Sequence, residues 1–351
     1  MPLVAEALSA ERLGLLERLE RGSVICAEGY LFEFERRGYL QAGPYVPEIV
    51  LEHPEMVAQL HREFVHAGSD VVEAFTYYGH REKLRIIRKE DLLEPLNRQA
   101  LAIAKDAASE SGALVAGNIS NTNIFEPADE ESRDTVRAMF EEQVAWAAEA
   151  DVDFVIAETF SFGEEAILAV ETIGAAGLVA VATLAIPRTG RTREGWTASD
   201  ACRRLEDADA AVVGLNCFRG PRTMLPLLRE IRDAVSAPVA GLPVPYRTRD
   251  EEPTFGSLRD PESDEMPFPT GLDPLLCSRS EIADFGRQAA GLGVRYLGVC
   301  CGNAPHYTRS LAEALGRRPP ASRYSPDMSK HAFHGTDERI KQSYREFATD
   351  F

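Results

Sequence analysis

Short apolar, largely β-branched runs alternate along this chain with longer segments whose apolar residues recur at helical spacing. The short runs are apolar almost throughout, as expected for parallel strands that are covered on both faces. The predicted strands are Ser23–Ala27, Asp70–Ala74, Ala113–Gly117, Asp153–Glu158, Leu178–Leu184, Ala210–Asn216, Pro238–Leu242 and Arg295–Cys300. Helical patterns between most of them include His53–His66, Leu92–Ser111, Ser132–Ala150, Ser199–Leu205, Arg222–Val235 and Ser280–Gly291. This repeated alternation predicts a closed (β/α)8 TIM barrel of the α/β class.

A doubly wound sheet is the alternative that the same alternation allows. Such a fold usually carries a glycine-rich phosphate loop, and the sequence contains neither GxGxxG nor GxxxxGK[ST]. The barrel is therefore the preferred interpretation.

Two regions interrupt the strand–helix rhythm. The segment Val244–Pro274 is a long connection rich in Pro, Gly, Asp and Glu, and in a barrel it would lie over the catalytic face. The segment Arg317–Phe351 follows the eighth strand–helix unit. We therefore expect a barrel over residues 1–316 and a C-terminal extension over residues 317–351, which packs on the barrel or on a second subunit.

Composition limits the possible partners and the location of the chain. The chain has 351 residues, 44% hydrophobic content and a formal charge of −18, which disfavours binding to nucleic acid or to an anionic membrane. No apolar run reaches the roughly 18 residues that a membrane span needs, and the N-terminal stretch lacks the pattern of a signal peptide. We expect a cytoplasmic protein. In that compartment its six cysteines stay reduced and serve metal binding, catalysis or packing.

Three cysteines occur at predicted strand ends. Cys217 ends the motif Gly-Leu-Asn-Cys after the sixth strand, and Cys300 and Cys301 lie between glycines after the eighth. The carboxyl ends of barrel strands carry the active site, and a turning backbone lets adjacent thiolates converge. Three thiolates with a fourth position vacant form a tetrahedral zinc site that is open for chemistry. Buried inert thiols are the alternative, which the Cys-Cys pair disfavours.

An open Zn²⁺ site with thiolate ligands suits sulfur chemistry. Zinc lowers the pKa of a bound thiol, and the thiolate is the nucleophile. Zinc hydrolases instead use His and carboxylate ligands, and none of the seven histidines falls in an HExxH arrangement. Of the remaining thiols, Cys26 is a weaker candidate for a redox or substrate contact, and Cys202 and Cys277 are assigned to packing.

The two cysteine motifs resemble those of the homocysteine S-methyltransferase family, and most closely its betaine-dependent members. The likeness covers nearly the whole chain and includes Arg37-Gly38-Tyr39, Ala42-Gly43-Pro44, Glu52-His53-Pro54-Glu55, Phe75-Thr76-Tyr77-Tyr78, Val115-Ala116-Gly117, Ile156-Ala157-Glu158 and Pro319-Pro320-Ala321-Ser322. It implies a barrel with one zinc, homocysteine as methyl acceptor, a small methyl donor and a homodimer or homotetramer.

The resemblance also assigns roles to single residues. Cys217, Cys300 and Cys301 would be the zinc ligands, and Glu158 would bind the amino group of homocysteine. The other substrate-binding positions that it implies are Tyr45, Tyr77, Tyr78 and Asn216. Tyr45 and Tyr78 match aromatic residues that contact betaine, since aromatic faces attract quaternary ammonium.

Three positions depart from the family pattern. The family usually has Asp-Gly-Gly after strand one, where this chain has Ala27-Glu28-Gly29, so Glu28 is a candidate to supply the missing carboxylate. The betaine-dependent members have an aromatic residue directly after the strand-four glutamate, and this chain has Thr159 there. Of the two family glycines before the cysteine pair, the second is replaced by Val299. Ala27 and Thr159 thus touch the acceptor and donor pockets and leave the zinc ligands intact.

Three hypotheses follow. The first is methyl transfer from a small onium donor to the zinc-bound thiolate of homocysteine, giving methionine. Glycine betaine is the first choice of donor, and dimethylsulfoniopropionate, S-methylmethionine and S-adenosylmethionine are the alternatives. The second is the same chemistry with another thiol acceptor, and the third is a non-catalytic zinc or redox sensor.

Overall fold

Eight parallel strands form a closed barrel in the computed structural model, which describes residues 13–350. Each strand pairs with its neighbours in chain order, and the eighth pairs with the first. The strands are β1 Val24–Ala27, β2 Val71–Glu73, β3 Leu114–Ser120, β4 Phe154–Phe160, β5 Ala180–Leu184, β6 Val212–Asn216, β7 Val239–Leu242 and β8 Tyr296–Val299. Every strand residue is buried, and the predicted barrel is confirmed.

Thirteen α-helices accompany the strands over the described residues, and those between strands cover the barrel. They are α1 Leu15–Arg21, α2 Tyr30–Arg36, α3 Ile49–Glu52, α4 Pro54–Ala67, α5 Arg81–Ile86, α6 Leu93–Ser109, α7 Glu130–Glu149, α8 Gly163–Ala175, α9 Ala198–Asp207, α10 Pro221–Ala234, α11 Arg279–Gly291, α12 Pro305–Ala314 and α13 Gln342–Phe347. Local sequence sets their ends. Ser278, for example, forms a capping box with Glu281 at the start of α11.

Side chains inside the barrel form two layers. The lower layer, near the amino ends of the strands, is apolar, and the upper layer, at their carboxyl ends, is polar. Alternation along each strand directs every second residue inward. Leu114, Phe154 and Val212 lie in the apolar interior, and α1 closes its lower end with Leu15 and Leu19. Four residues further along β3, β4 and β6, the inward residues are the polar Asn118, Glu158 and Asn216, which form the floor of the site.

The segment after β7 covers the upper face, as the sequence predicts. Its 3₁₀ helix Phe255–Ser257 follows an extended stretch. The Phe255 N–H donates to the carbonyl of Phe218 at 2.7 Å, and the Phe255 ring packs in one cluster with Cys217 and Cys300. This connection is therefore an ordered wall of the barrel mouth.

The C-terminal extension begins against the barrel and ends exposed. Arg317 forms an ion pair with Asp70 at 2.5 Å, and Ala321 is buried. Further along, Tyr344 and Phe347 are half exposed. The division at residue 316 stays a prediction. Residues 1–12 of the amphipathic N-terminal stretch and residue 351 lie outside the described part. No described helix is long and apolar enough to cross a bilayer.

Candidate metal and substrate site

Three cysteine sulfurs meet at the upper mouth of the barrel. The Sγ of Cys301 lies 3.7 Å from the Sγ of Cys217 and 3.8 Å from that of Cys300. All three sulfurs lie within 4.8 Å of one another. Zinc–sulfur bonds of about 2.3 Å at tetrahedral angles place ligand sulfurs about 3.8 Å apart. The donor set and its spacing therefore fit a zinc ion.

The end of β7 holds both cysteine segments in place. The Cys217 N–H donates to the carbonyl of Leu242 at 3.0 Å, and the Cys300 N–H donates to the carbonyl of Pro243 at 2.9 Å. Cys217 has φ +55°, and Gly302 has φ +98°. These left-handed turns end the strands and allow neighbouring sulfurs to face one point.

The thiols stabilise one another's charge unequally. Hydrogen bonds from the thiols of Cys300 and Cys301 hold the pKa of Cys217 well below its usual range. Burial raises the pKa of Cys300. One thiolate solvated by two thiols is thus favoured without metal, and a divalent cation would take the place of the remaining protons.

Glu158 lies beside the sulfur cluster and is held by amide donors. Its Oε2 accepts from Asn216 Nδ2 at 2.6 Å and from the Thr159 hydroxyl at 3.1 Å, and its Oε1 accepts from Asn118 Nδ2 at 2.7 Å. Burial raises the pKa of Glu158 to about 7, although these hydrogen bonds lower it. The carboxyl group is therefore poised to ionise when a cationic group enters the site.

Two further buried carboxyl groups adjoin Glu158. Glu28 lies 3.3 Å from Asn216 Nδ2, and Glu73 accepts from Asn118 Nδ2 at 2.5 Å. Burial raises the pKa of both, and the neighbouring carboxyl groups raise it further. No Lys or Arg of residues 13–350 pairs with these three carboxyl groups, which leaves them as candidates to bind a substrate cation.

Glu73 and Asn118 were not predicted from the sequence. Glu73 has the same parity as Val71 in β2, and Asn118 has the same parity as Ala116 in β3. A polar residue at the carboxyl end of an otherwise apolar predicted strand is the sequence signal that could have identified both.

The structure separates the two predicted residues at the end of β1. Glu28 continues the inward series of Val24 and Cys26 and joins the polar layer. Ala27 packs with Ile25 in the core between barrel and helices and is 1% exposed. Glu28 is therefore brought into the site, whereas Ala27 is not.

The predicted aromatic residues line the mouth at different depths. The Tyr77 and Tyr78 rings are 4.3 Å apart, and Lys83 Nζ lies 3.9 Å from the centre of the Tyr78 ring. Tyr78 thus already binds a cation of this chain. Tyr45 packs edge-on against Phe32, and its buried hydroxyl has no hydrogen-bond partner among the described residues.

Thr159 lies between Glu158 and a second cavity. It is a β-branched residue at φ +64°, an uncommon conformation that turns its side chain back towards Glu158. Its N–H donates to Asn216 Oδ1 at 3.0 Å. A cavity of about 20 Å³ lies against Cys300, Cys301 and Glu158, and one of about 170 Å³ lies beyond Thr159.

The closed parallel barrel and its three clustered cysteines define a barrel protein that can hold a metal at the carboxyl ends of its strands. The homocysteine S-methyltransferase family model matches residues 29–315, and the chain belongs to this family.

Comparison with individual proteins agrees with this assignment. The chain is 37% identical to betaine–homocysteine S-methyltransferase 1 of Xenopus tropicalis over 340 residues, which cover 94% of this chain and 82% of that protein. It is 36% identical to an S-methylmethionine–homocysteine S-methyltransferase of Pongo abelii over 321 residues, which cover 88% and 84%. The fold is similar to that of the metallated homocysteine methyltransferase MmuM from Escherichia coli, with a TM-score of 0.66, 17% identity and coverage of 84% and 97%.

Proposed function

We propose that this protein is a zinc-dependent methyltransferase that moves a methyl group from glycine betaine to homocysteine, giving methionine and dimethylglycine. The observation that carries the proposal is the convergence of three cysteine sulfurs within 4.8 Å of one another beside the buried Glu158. Family membership and relatives named for two different methyl donors support the acceptor more strongly than the donor.

In this proposal Cys217, Cys300 and Cys301 hold the zinc. When bound, zinc keeps an acceptor thiol deprotonated at neutral pH. Glu158 pairs with the ammonium group of the acceptor, and hydrogen bonds from Asn216 and Thr159 fix the direction of the Glu158 carboxylate. The buried surroundings exclude water, so the thiolate meets the donor methyl carbon without competition from solvent.

The transfer is a displacement at one methyl carbon. A sulfur–carbon bond forms as the carbon–nitrogen bond breaks, and the electron pair of the broken bond stays on the departing amine nitrogen. The onium charge and the thiolate charge disappear together, so a poorly solvated pocket favours the reaction. Positioning of the two reactants supplies the rest of the rate enhancement.

The size of the second cavity supports a small donor. About 170 Å³ of space, bordered by Thr159, Tyr77 and Phe218, suits a compact onium compound better than the nucleoside-bearing S-adenosylmethionine. Glycine betaine is the first candidate, and dimethylsulfoniopropionate and S-methylmethionine are the alternatives.

A second candidate function keeps the chemistry and changes the acceptor. Glu28 and Glu73 surround the acceptor side with more buried carboxyl groups than one ammonium needs. This arrangement favours a thiol that bears additional cationic or hydrogen-bond-donating groups. A homodimer or homotetramer in the cytoplasm completes the proposal, and light scattering would measure the oligomeric state.

The test is methionine formation by purified protein loaded with one zinc per chain. Homocysteine and a panel of other thiols are offered with each of the four donors. We expect turnover with homocysteine and betaine, and its loss when a chelator removes the metal. Tight zinc binding without turnover for any acceptor–donor pair would contradict the proposal and favour a sensor.

A further inference from the structure

The lining of the 170 Å³ cavity beside the sulfur cluster contains one cationic side chain, that of Arg193. Aromatic and small polar side chains form most of the lining. The lining residues used below are Tyr77, Thr159, Phe162, Glu165, Arg193 and Phe218. An aromatic cavity with a single guanidinium suits a ligand that carries both a positive and a negative group.

The cavity adjoins the proposed reaction centre at three points. Phe218 follows Cys217 directly, and Thr159 follows Glu158. Tyr77 lines this cavity and also the small cavity against the cysteine sulfurs. A donor in the larger cavity can therefore direct one methyl group past Tyr77 towards the acceptor sulfur.

Arg193, in the connection between β5 and α9, is held in position against this cavity. Its guanidinium carbon lies 4.2 Å from the centre of the Phe162 ring, and the backbone N–H of Arg193 donates to the carbonyl of Ser161 at 2.8 Å. Within residues 13–350 Arg193 forms no ion pair, whereas Arg133 nearby pairs with Glu164 at 2.6 Å. The planar donor fork of Arg193 is thus oriented and still available.

The one carboxyl group in the cavity lining is engaged elsewhere. Glu165 accepts from both the N–H and the hydroxyl of Thr122, at 2.8 and 2.7 Å. Its buried position also weakens its negative charge at neutral pH, since burial raises its pKa to about 7. Glu165 therefore competes little for the hydrogen-bond donors of Arg193.

We propose that Arg193 binds the carboxylate of the methyl donor and restricts the enzyme to onium carboxylates. The donor's carboxylate meets the Arg193 fork in a bidentate contact, and its onium group lies among Tyr77, Thr159 and Phe218. Simple onium cations such as choline would lack this contact. The inference rests on the proposed function, and it names the residue that selects the class of donor.

The experiment compares glycine betaine with its methyl ester, which keeps the onium group and removes the negative charge. The variants are Arg193→Gln, Arg193→Lys and the control Arg191→Gln. Arg191 belongs to the same exposed loop and donates to the carbonyl of Gly195 without lining the cavity. Steady-state kinetics with both donors are combined with calorimetric binding of dimethylglycine to the zinc-loaded protein.

We expect Arg193→Gln to raise KM for betaine about 10- to 100-fold, because it removes a pair of charge-assisted hydrogen bonds. KM for homocysteine should stay unchanged. The preference for betaine over its ester should disappear, dimethylglycine binding should weaken by a similar factor, and Arg193→Lys should restore part of the affinity. Arg191→Gln should match the wild type in every measurement.

A rise in KM that is equal for betaine and the ester would overturn the proposal, as would a change of less than about threefold. If the wild type makes no methionine from any donor, the proposed function fails. The calorimetric comparison still decides the role of Arg193, because wild-type protein that binds dimethylglycine no better than Arg193→Gln contradicts it.

Discussion

Asn216 connects the Glu158 carboxylate to the backbone of Thr159, close to the three cysteines, and its replacement by alanine tests the proposed site. The change removes bonds to Glu158 Oε2 at 2.6 Å, to the Thr159 hydroxyl at 2.9 Å and from the Thr159 N–H at 3.0 Å. The bond to a charged group contributes about 1.5–3 kcal/mol, and a buried N–H left without a partner costs about 1–3 kcal/mol. We expect a loss of about 3–6 kcal/mol of unfolding free energy, a large part of the stability of an ordinary domain.

The same substitution should move the pH dependence of acceptor binding. Asn216 lowers the pKa of Glu158, so its loss raises that pKa further above about 7. Because the acceptor ammonium needs an ionised carboxylate, the acidic limb of homocysteine binding should shift to higher pH. Guanidinium unfolding measures the first effect, and calorimetric titration of homocysteine between pH 6 and 9 measures the second.

Asn97→Ala is the matched control. Asn97 is equally buried, and its side chain donates to the carbonyls of Gly79 and Leu93 at 2.7 and 2.8 Å, away from the sulfur cluster. It should lower stability without moving the pH limb. The assignment of Asn216 would be refuted if its alanine variant resembled Asn97→Ala, with a stability loss alone and unchanged homocysteine affinity at every pH.

Three other substitutions test the remaining parts of the molecule. Cys301→Ser removes one of three soft ligands and should weaken zinc binding at least about tenfold in competition with a chelator, whereas Cys202→Ser in α9 should keep one zinc per chain. Burial raises the pKa of Glu165 from 4.5 to about 7. The protonated side chain therefore costs no stability below about pH 4.5, and the fold loses stability as pH rises from there through about 7. Glu165→Gln should therefore gain about 3 kcal/mol relative to wild type between pH 4.5 and 8 in urea unfolding, and parallel pH profiles would contradict this. Gly298→Ala places a methyl group 2.0 Å from a carbonyl oxygen of β1 and should cost at least about 4 kcal/mol, whereas Gly256→Ala has open space and should be nearly neutral in the same assay.

The barrel and its sulfur cluster were predictable because their patterns are local. Apolar runs identify parallel strands, and cysteines directly after two of them lie at the same mouth whatever the details of packing. The exact strand ends were less predictable. β3 and β4 extend to Ser120 and Phe160, beyond the predicted ends, because Ser120 still pairs with Glu158 and Phe160 with Leu184.

The polar layer below the sulfurs required knowledge of side-chain direction. The sequence alone could not show that Ala27 faces the helices while Glu28 faces the barrel, because β1 is apolar and buried throughout and shows no alternation. The left-handed conformation of Thr159 also reverses the side-chain direction that simple alternation gives. Arg193 has no motif, and only the cavity identified it.

The three clustered cysteines and the three buried carboxyl groups beside them come from different parts of the chain. Cys217 follows β6, Cys300 and Cys301 follow β8, and both strands pair with β7. Glu28, Glu73 and Glu158 lie after β1, at the end of β2 and within β4, which come earlier in the chain. During synthesis the carboxylates therefore leave the ribosome first and two of the three thiols nearly last. In the proposed function, metal uptake would then be a late step of folding, and zinc would add its binding free energy only to a chain whose last strand has closed the barrel.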